Sequence, residues 1–349
     1  MTDIVIISLF IGAIAFMIIR SKKRSRRRHQ SRPVQEPTNT EYTPPKPTSP
    51  GKDPLPPVTQ GEPFVIDQDS WDEDNYPILT MAYNLHKAGK INLIAVVISG
   101  EDSSGAIGNI FEALTGGGIP IFYRDFDTRV TPSWGRYGEA LSLSPSELKK
   151  DNQRGGTAQL ASLIAGTSGK VTWITGGHVQ FANAFIAEHL DVVRAKINKF
   201  VLSTGWTSHT SGAQETNFSA TKAIGKATKQ FFERAHNEVD VVLTPLMNYQ
   251  SKSGTSLTSL NKQLLNNVVS RGPYFKDKGN VITLGDSDAF FIGTRYNNGK
   301  GYELQNVNVH VGNNGAVKVA GRGNSRVYIA KRTRDDHFYV QMFRDLINS

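Results

Sequence analysis

Between Val65 and Asn75 the chain runs V-I-D-Q-D-S-W-D-E-D-N, which puts Asp67, Asp69, Asp72, Glu73 and Asp74 within eight residues. Like charges this close raise one another's pKa and resist ionising unless a cation or hydrogen-bond donors compensate. Carboxylate oxygens suit a hard divalent ion, Ca2+ or Mg2+, whereas a softer metal would recruit His or Cys. A solvated acidic turn ahead of a helix explains the same cluster without any ion. Other polar groups follow later apolar runs: Ser99-Gly100-Glu101-Asp102, Gly176-Gly177-His178 and Gly285-Asp286-Ser287-Asp288. Two distant carboxylate clusters meeting at one sheet edge would complete an oxygen-only cation site, which a lone acidic turn could not do.

Such a meeting requires elements that deliver those groups to one place. Short β-branched runs predict strands at 64–66, 94–98, 119–123, 171–175, 200–202, 239–244 and 281–284. Helical patterns lie between them at 77–88, 107–114, 157–165, 181–189, 221–235 and 257–269. This alternation argues for an α/β domain with an open, largely parallel sheet flanked by helices. Ligands of such sheets gather outside the carboxyl ends of the strands, where the polar groups above fall.

The start of the chain is of another kind. Residues 4–19 are almost wholly apolar and are followed by Arg20, Lys22, Lys23, Arg24, Arg26, Arg27 and Arg28. At about 1.5 Å per residue the run is a little short of a hydrocarbon core of about 30 Å, a gap that snorkelling of Arg20 and local thinning can close. A cleaved signal peptide would carry its positive charge ahead of the apolar run, where this chain has Asp3. A transmembrane anchor over 1–20 is the expectation, and the positive-inside rule puts the rest of the chain in the cytoplasm. Residues 21–62 hold the basic run and then nine prolines among Thr, Ser, Gln and Lys, with a tenth at Pro63. That composition makes a semi-extended linker, or a ligand for a proline-binding domain. The folded domain is expected over 63–349.

The net charge of +9 owes seven charges to the juxtamembrane run, which leaves +2 for the rest of the chain. A nearly neutral domain is not a nucleic-acid partner, because that role needs basic residues with interleaved aromatics on a folded face. Cysteine is absent, which removes disulfides, thiolate metal sites and Cys nucleophiles. Gly166-Thr167-Ser168-Gly169-Lys170 lacks the spacing of a phosphate loop and suits a tight turn before a strand.

Four segments in order resemble the nucleoside hydrolases, the inosine-uridine-type nucleoside N-ribohydrolases. Asp67 to Asp74 resembles that family's opening D-x-D-x-x-x-D-D, with Glu73 in place of the penultimate Asp; V-T-W-I-T-G-G-H-V from Val171 resembles its later strand and loop. Gln214-Glu215-Thr216-Asn217 is similar to its ribose-holding A-E-F-N segment, and Gly285-Asp286 falls on its late His-Asp pair. The last strand and helix, around 324–329 and 335–347, are similar as well. The resemblance spans nearly all of 64–349. It implies Ca2+ held by Asp69, Asp74, Asp286 and the carbonyl of Val179, with Asp69 as the base for an attacking water. It implies ribose hydroxyls held by Glu73, Glu215 and Asn217. Glu101 and His209 stand at or near two further ribose-binding positions where the family has Asn.

The departures from the family pattern bear on chemistry. Trp71 replaces a loop glycine, so glycine-only backbone angles are closed to it. Gly285 replaces the His that assists departure of the base, and a general acid typically contributes about 100- to 10,000-fold. His178 and His209 could substitute for it; a lone His at such a place is otherwise a hydrogen-bonded structural residue. Three readings stand: a membrane-tethered, Ca2+-dependent ribohydrolase acting on a small nucleoside, a catalytically weak relative that binds a ribosyl ligand, and a structural protein using the fold. A homo-oligomer is open in each.

Overall fold

The computed structural model describes residues 61–68, 75–100, 118–125, 155–203, 216–219, 221–244, 250–252, 281–283, 286–323 and 325–347. β1 (Pro63–Gln68), β2 (Asn92–Gly100) and β3 (Ile121–Asp125) are followed by β4 (Val171–Thr175), β5 (Ile197–Ser203) and β6 (Asp240–Thr244). Helix α1 (Asn75–Lys87) joins β1 to β2, and α2 (Thr157–Ala165) precedes β4. Between β4 and β5 run α3 (Gln180–Glu188) and α4 (Leu190–Lys196), and α5 (Thr216–Ser219) and α6 (Lys222–Ala235) lie between β5 and β6. A short pair, β7 (Gln250–Lys252) and β8 (Val281–Thr283), then leads to α7 (Ser287–Thr294). The chain ends with β9 (Tyr302–Val311), β10 (Val317–Arg322), β11 (Val327–Arg332) and α8 (Asp336–Ile347).

Nine strands form one sheet in the order β10-β9-β11-β6-β5-β4-β1-β2-β3. From β3 across to β11 all neighbours are parallel, and β9 and β10 add an antiparallel margin. The parallel part of the sheet is buried on both faces, as it must be when its crossovers are helices. Phe64 and Ile66 of β1 point to a core shared with Ile78, Leu85, Phe290, Phe291 and Phe343 of α1, α7 and α8. Val65 points to the other core, with Trp173, Phe181, Phe185, Phe231 and Phe232. The period of two along a strand therefore sorts successive side chains between two helical layers.

Local chemistry sets the boundaries. Thr221 stands in extended conformation before α6, and its hydroxyl accepts from the Ile224 amide at 3.2 Å, satisfying one of the helix's orphan donors. Pro63 occupies the first position of β1, where an internal strand tolerates its missing donor. On α6, Gly225 meets the turn between β9 and β10 so closely that a Cβ would lie 2.2 Å from the carbonyl oxygen of Asn314. Only a residue without a side chain permits that approach.

The mixed α/β architecture with a largely parallel, helix-flanked sheet is the one expected. One strand departs from expectation: β8, anticipated at 281–284 in the parallel sheet, pairs antiparallel with β7 in a separate two-stranded sheet. An apolar run announces a strand but not its partner, because both partners would bury it. The anticipated helices at 107–114 and 257–269, and the apolar run at 4–19, lie outside the described residues. Among the described residues no helix is long and apolar enough to cross a membrane.

Candidate functional site

The strand order reverses between β1 and β4: β2 and β3 lie to one side of β1, and β4, β5 and β6 to the other. The carboxyl ends of these two strands border the crevice that such a reversal opens. β1 ends in Asp67 and Gln68, both fully buried. Alternation sends their side chains to opposite layers.

Asp67 turns toward the layer of α2 and α3. Its Oδ1 accepts from the Ser99 hydroxyl of β2 at 2.5 Å, and its Oδ2 from the Trp173 indole N–H of β4 at 3.2 Å. Its backbone carbonyl accepts from the Gly176 amide at 2.8 Å. One residue thus ties together three neighbouring strands at the edge of the crevice. The indole is itself fixed by Phe185 and Phe200, with ring centroids 5.2 and 5.5 Å away. A buried carboxylate is tolerable only with such donors.

On the other side, α7 starts at Asp286, which is buried and does not cap the helix with its side chain. A Cβ at Gly176 would stand 2.5 Å from Asp286 Oδ2, and 2.5 and 2.6 Å from Gln68 Nε2 and Oε1. The absence of a side chain at Gly176 is what lets the carboxylate and the carboxamide come together over the end of β4. The Gln68 amide is buried here without a hydrogen-bond partner among the described residues, as are the hydroxyls of Thr175 and Ser287, the chain neighbours of Gly176 and Asp286. An unmet buried polar group costs about 1–3 kcal/mol, so an unpartnered amide bordering the same gap as a buried carboxylate fits a site completed by an oxygen-seeking cation and its waters.

Val179 is fully buried at the start of α3, and its carbonyl accepts from the Asn183 amide at 2.7 Å. A carbonyl has two lone pairs, so one remains for a cation. His178, the preceding residue, is also fully buried. Burial pushes its imidazole down to about 3, so it is neutral near pH 7. Solvation is what a charged imidazole lacks there, and sequence cannot show that.

Of the expected cation ligands, Val179 and Asp286 are thus described, whereas Asp69 and Asp74 lie outside the described residues. So do the expected ribose-holding residues Glu73, Glu101, His209 and Glu215. Asn217 lies in α5, which is held against α6 where the Thr228 hydroxyl donates to the Phe218 carbonyl at 2.9 Å. Among the described residues, no three His, Asp or Glu side chains come close enough together to hold a metal. Asp288 leaves the crevice altogether: it pairs with Arg332 at 2.5 Å and accepts from the Tyr302 hydroxyl. The residues not anticipated are Gln68, Thr175 and Ser287. Their signal was a polar side chain at the last position of an apolar strand or the first of a helix, next to an acid or a glycine.

No protein-family model matches the chain, and no curated protein matches its sequence. Solved structures do. An inosine-guanosine nucleoside hydrolase is 12% identical with a TM-score of 0.61, the match covering 82% of this chain and 99% of that one. An inosine-uridine preferring nucleoside hydrolase from Bacillus anthracis is 13% identical with a TM-score of 0.57, over 82% and 99%. The type III effector protein XopQ, complexed with adenosine diphosphate ribose, is 13% identical with a TM-score of 0.54, over 82% and 92%. The chain has a nucleoside hydrolase-like fold, as the sequence motifs implied.

Proposed function

We propose that the domain hydrolyses the N-glycosidic bond of a ribonucleoside, releasing base and ribose, in a Ca2+-dependent reaction. The observation that carries this is the buried approach of Asp286 and the unpartnered Gln68 amide to Gly176 at the strand-order reversal, in a fold shared with nucleoside hydrolases. Asp69, Asp74, Asp286 and the Val179 carbonyl would hold the ion. When bound, Ca2+ supplies the positive charge that lets a water ionise at neutral pH. Asp69 accepts the proton of that water as its oxygen bonds to C1′. Glu73, Glu215 and Asn217 hold the ribose hydroxyls, with Glu101 and His209 flanking, so that C1′ faces the attacking oxygen; such alignment supplies much of the rate. The C1′–N bond breaks through an oxocarbenium-like transition state, and its electron pair leaves on the base nitrogen, which needs a proton. Gly285 has none to give, and His178 is neutral.

Attack and departure should therefore respond differently. A nitrophenyl riboside, whose leaving group needs no proton, is cleaved readily with Ca2+ and not with chelator, whereas inosine and uridine turn over slowly. Asp69→Asn removes several orders of magnitude from the activated substrate without unfolding the protein. No cleavage of the nitrophenyl riboside above background sinks the catalytic reading. The second reading, a ribosyl-ligand binder, would take its place; the XopQ complex with adenosine diphosphate ribose and the loss of the family histidine favour it. In either case we propose that residues 4–19 and their basic flank anchor the chain in a membrane with the domain on the cytoplasmic side.

A further inference from the structure

Gln68 is fully buried, carries two polar atoms, and finds no partner for either among the described residues. It also sits between Asp67 and Asp69, and it faces the layer of α7 rather than that of Trp173. Its Nε2 and Asp286 Oδ2 each lie 2.5 Å from the Cβ position that Gly176 leaves empty, so the two groups border the same gap without a hydrogen bond between them. A carboxylate can only accept, and the one donor a carboxamide offers is its NH2. Left unmet, each atom of this amide is destabilising, whereas an apolar side chain of the same length carries no such cost.

We propose that Gln68 is a positioning residue for the cation site, an inference that rests on the Ca2+ reading above. With an ion held, the amide N–H would turn to donate to Asp286 Oδ2 and so would fix the plane of that carboxylate. Groups that orient metal ligands in this way typically change metal affinity by about 10- to 100-fold when removed. Gly176 belongs to the same device, because any side chain there would push amide and carboxylate apart.

The test uses the full chain, CaCl2 as the probe, titration calorimetry and thermal unfolding. Gln68→Met keeps length and shape while deleting both polar atoms. The expected result is a Ca2+ dissociation constant raised about 10- to 100-fold, together with a metal-free Tm equal to or above that of the wild type. The opposed signs separate positioning from packing. Wild-type Ca2+ affinity in Gln68→Met overturns the proposal. A lower metal-free Tm in the variant overturns it too, since an amide that holds nothing without the ion has no stability to lose. If the wild-type chain itself binds no Ca2+, the cation reading fails first and this inference falls with it.

Discussion

Asp67 and Lys199 show what a single buried ionisable group demands. The Asp67 carboxylate is fully buried and takes the indole N–H of Trp173 at 3.2 Å, so Trp173 is a donor as well as a core side chain. Trp173→Phe keeps an aromatic ring among Phe181, Phe185 and Phe200 but deletes the donor. Hydrogen bonds to charged groups contribute about 1.5–3 kcal/mol. The variant should lose at least that much in urea unfolding; an unchanged midpoint would mean that this bond does not hold the carboxylate. Lys199 of β5, near the amino edge of the sheet, is 6% exposed. Burial, with a smaller contribution from Arg295 and against the pull of Glu62 and Asp240, brings its ammonium down to about 8 from an ordinary 10.5. A base whose folded pKa lies below its unfolded one leaves the unfolded chain holding the extra proton between those two values. Unfolding free energy therefore rises with pH across that window. Lys199→Met should flatten the rise and add up to about 3 kcal/mol at neutral pH. Equal slopes for both proteins from pH 8 to 10 would contradict the assignment.

Helix α7 shows how one element serves two purposes. Its first residues bring Asp286 to the crevice, and one residue beyond Ser287 its Asp288 locks the helix to the antiparallel margin. Asp288 is fully buried, pairs with Arg332 of β11 at 2.5 Å and accepts from Tyr302 of β9, while the Arg332 guanidinium lies 5.2 Å above the Tyr339 ring of α8. Removing one partner of a buried pair strands the other, at a cost of about 3–5 kcal/mol. Arg332→Met should cost that much in an otherwise native chain and far less in an Asp288→Asn background, where no charge is stranded. A double-mutant cycle without coupling would show that packing alone holds α7. Helix and strand types were legible where pattern and punctuation agree. β4 and α2 run as expected over Val171–Thr175 and Thr157–Ala165, between Lys170 and Gly176 and between Gly156 and Gly166. The hairpin of β9 and β10 was not legible, because Asn306, Asn308 and His310 interrupt its apolar residues and half of it faces water. The acids were legible as chemistry, but their division of labour was not. Asp67 differs from Gln68 only by the alternation of the strand, and Asp286 from Asp288 by the turn of the helix. The partners that decide each role, Trp173 and Arg332, lie far along the chain.

At the scale of the whole molecule, the order of the sheet separates attachment from chemistry. The chain joins the domain at the amino edge, where the Asn92 amide donates to the Glu62 carbonyl at 2.9 Å, and β1 then carries it through the middle of the sheet to the crevice at the carboxyl edge. The basic run concentrates seven positive charges between Arg20 and Arg28, whereas the whole domain over 63–349 nets only +4, so the domain has little electrostatic attraction of its own for an anionic surface. Membrane binding and catalysis should therefore be separable. The full chain should sediment with membranes and resist high-salt extraction, because burial of an apolar helix, unlike attraction of a basic run, is not screened. Deleting residues 1–32 should release the protein to the supernatant while its Ca2+ affinity and its turnover of a nitrophenyl riboside stay as they were. Equal sedimentation after the deletion would place the anchor elsewhere. Equal release with a weakened Ca2+ affinity would mean that anchor and ion binding are not separable.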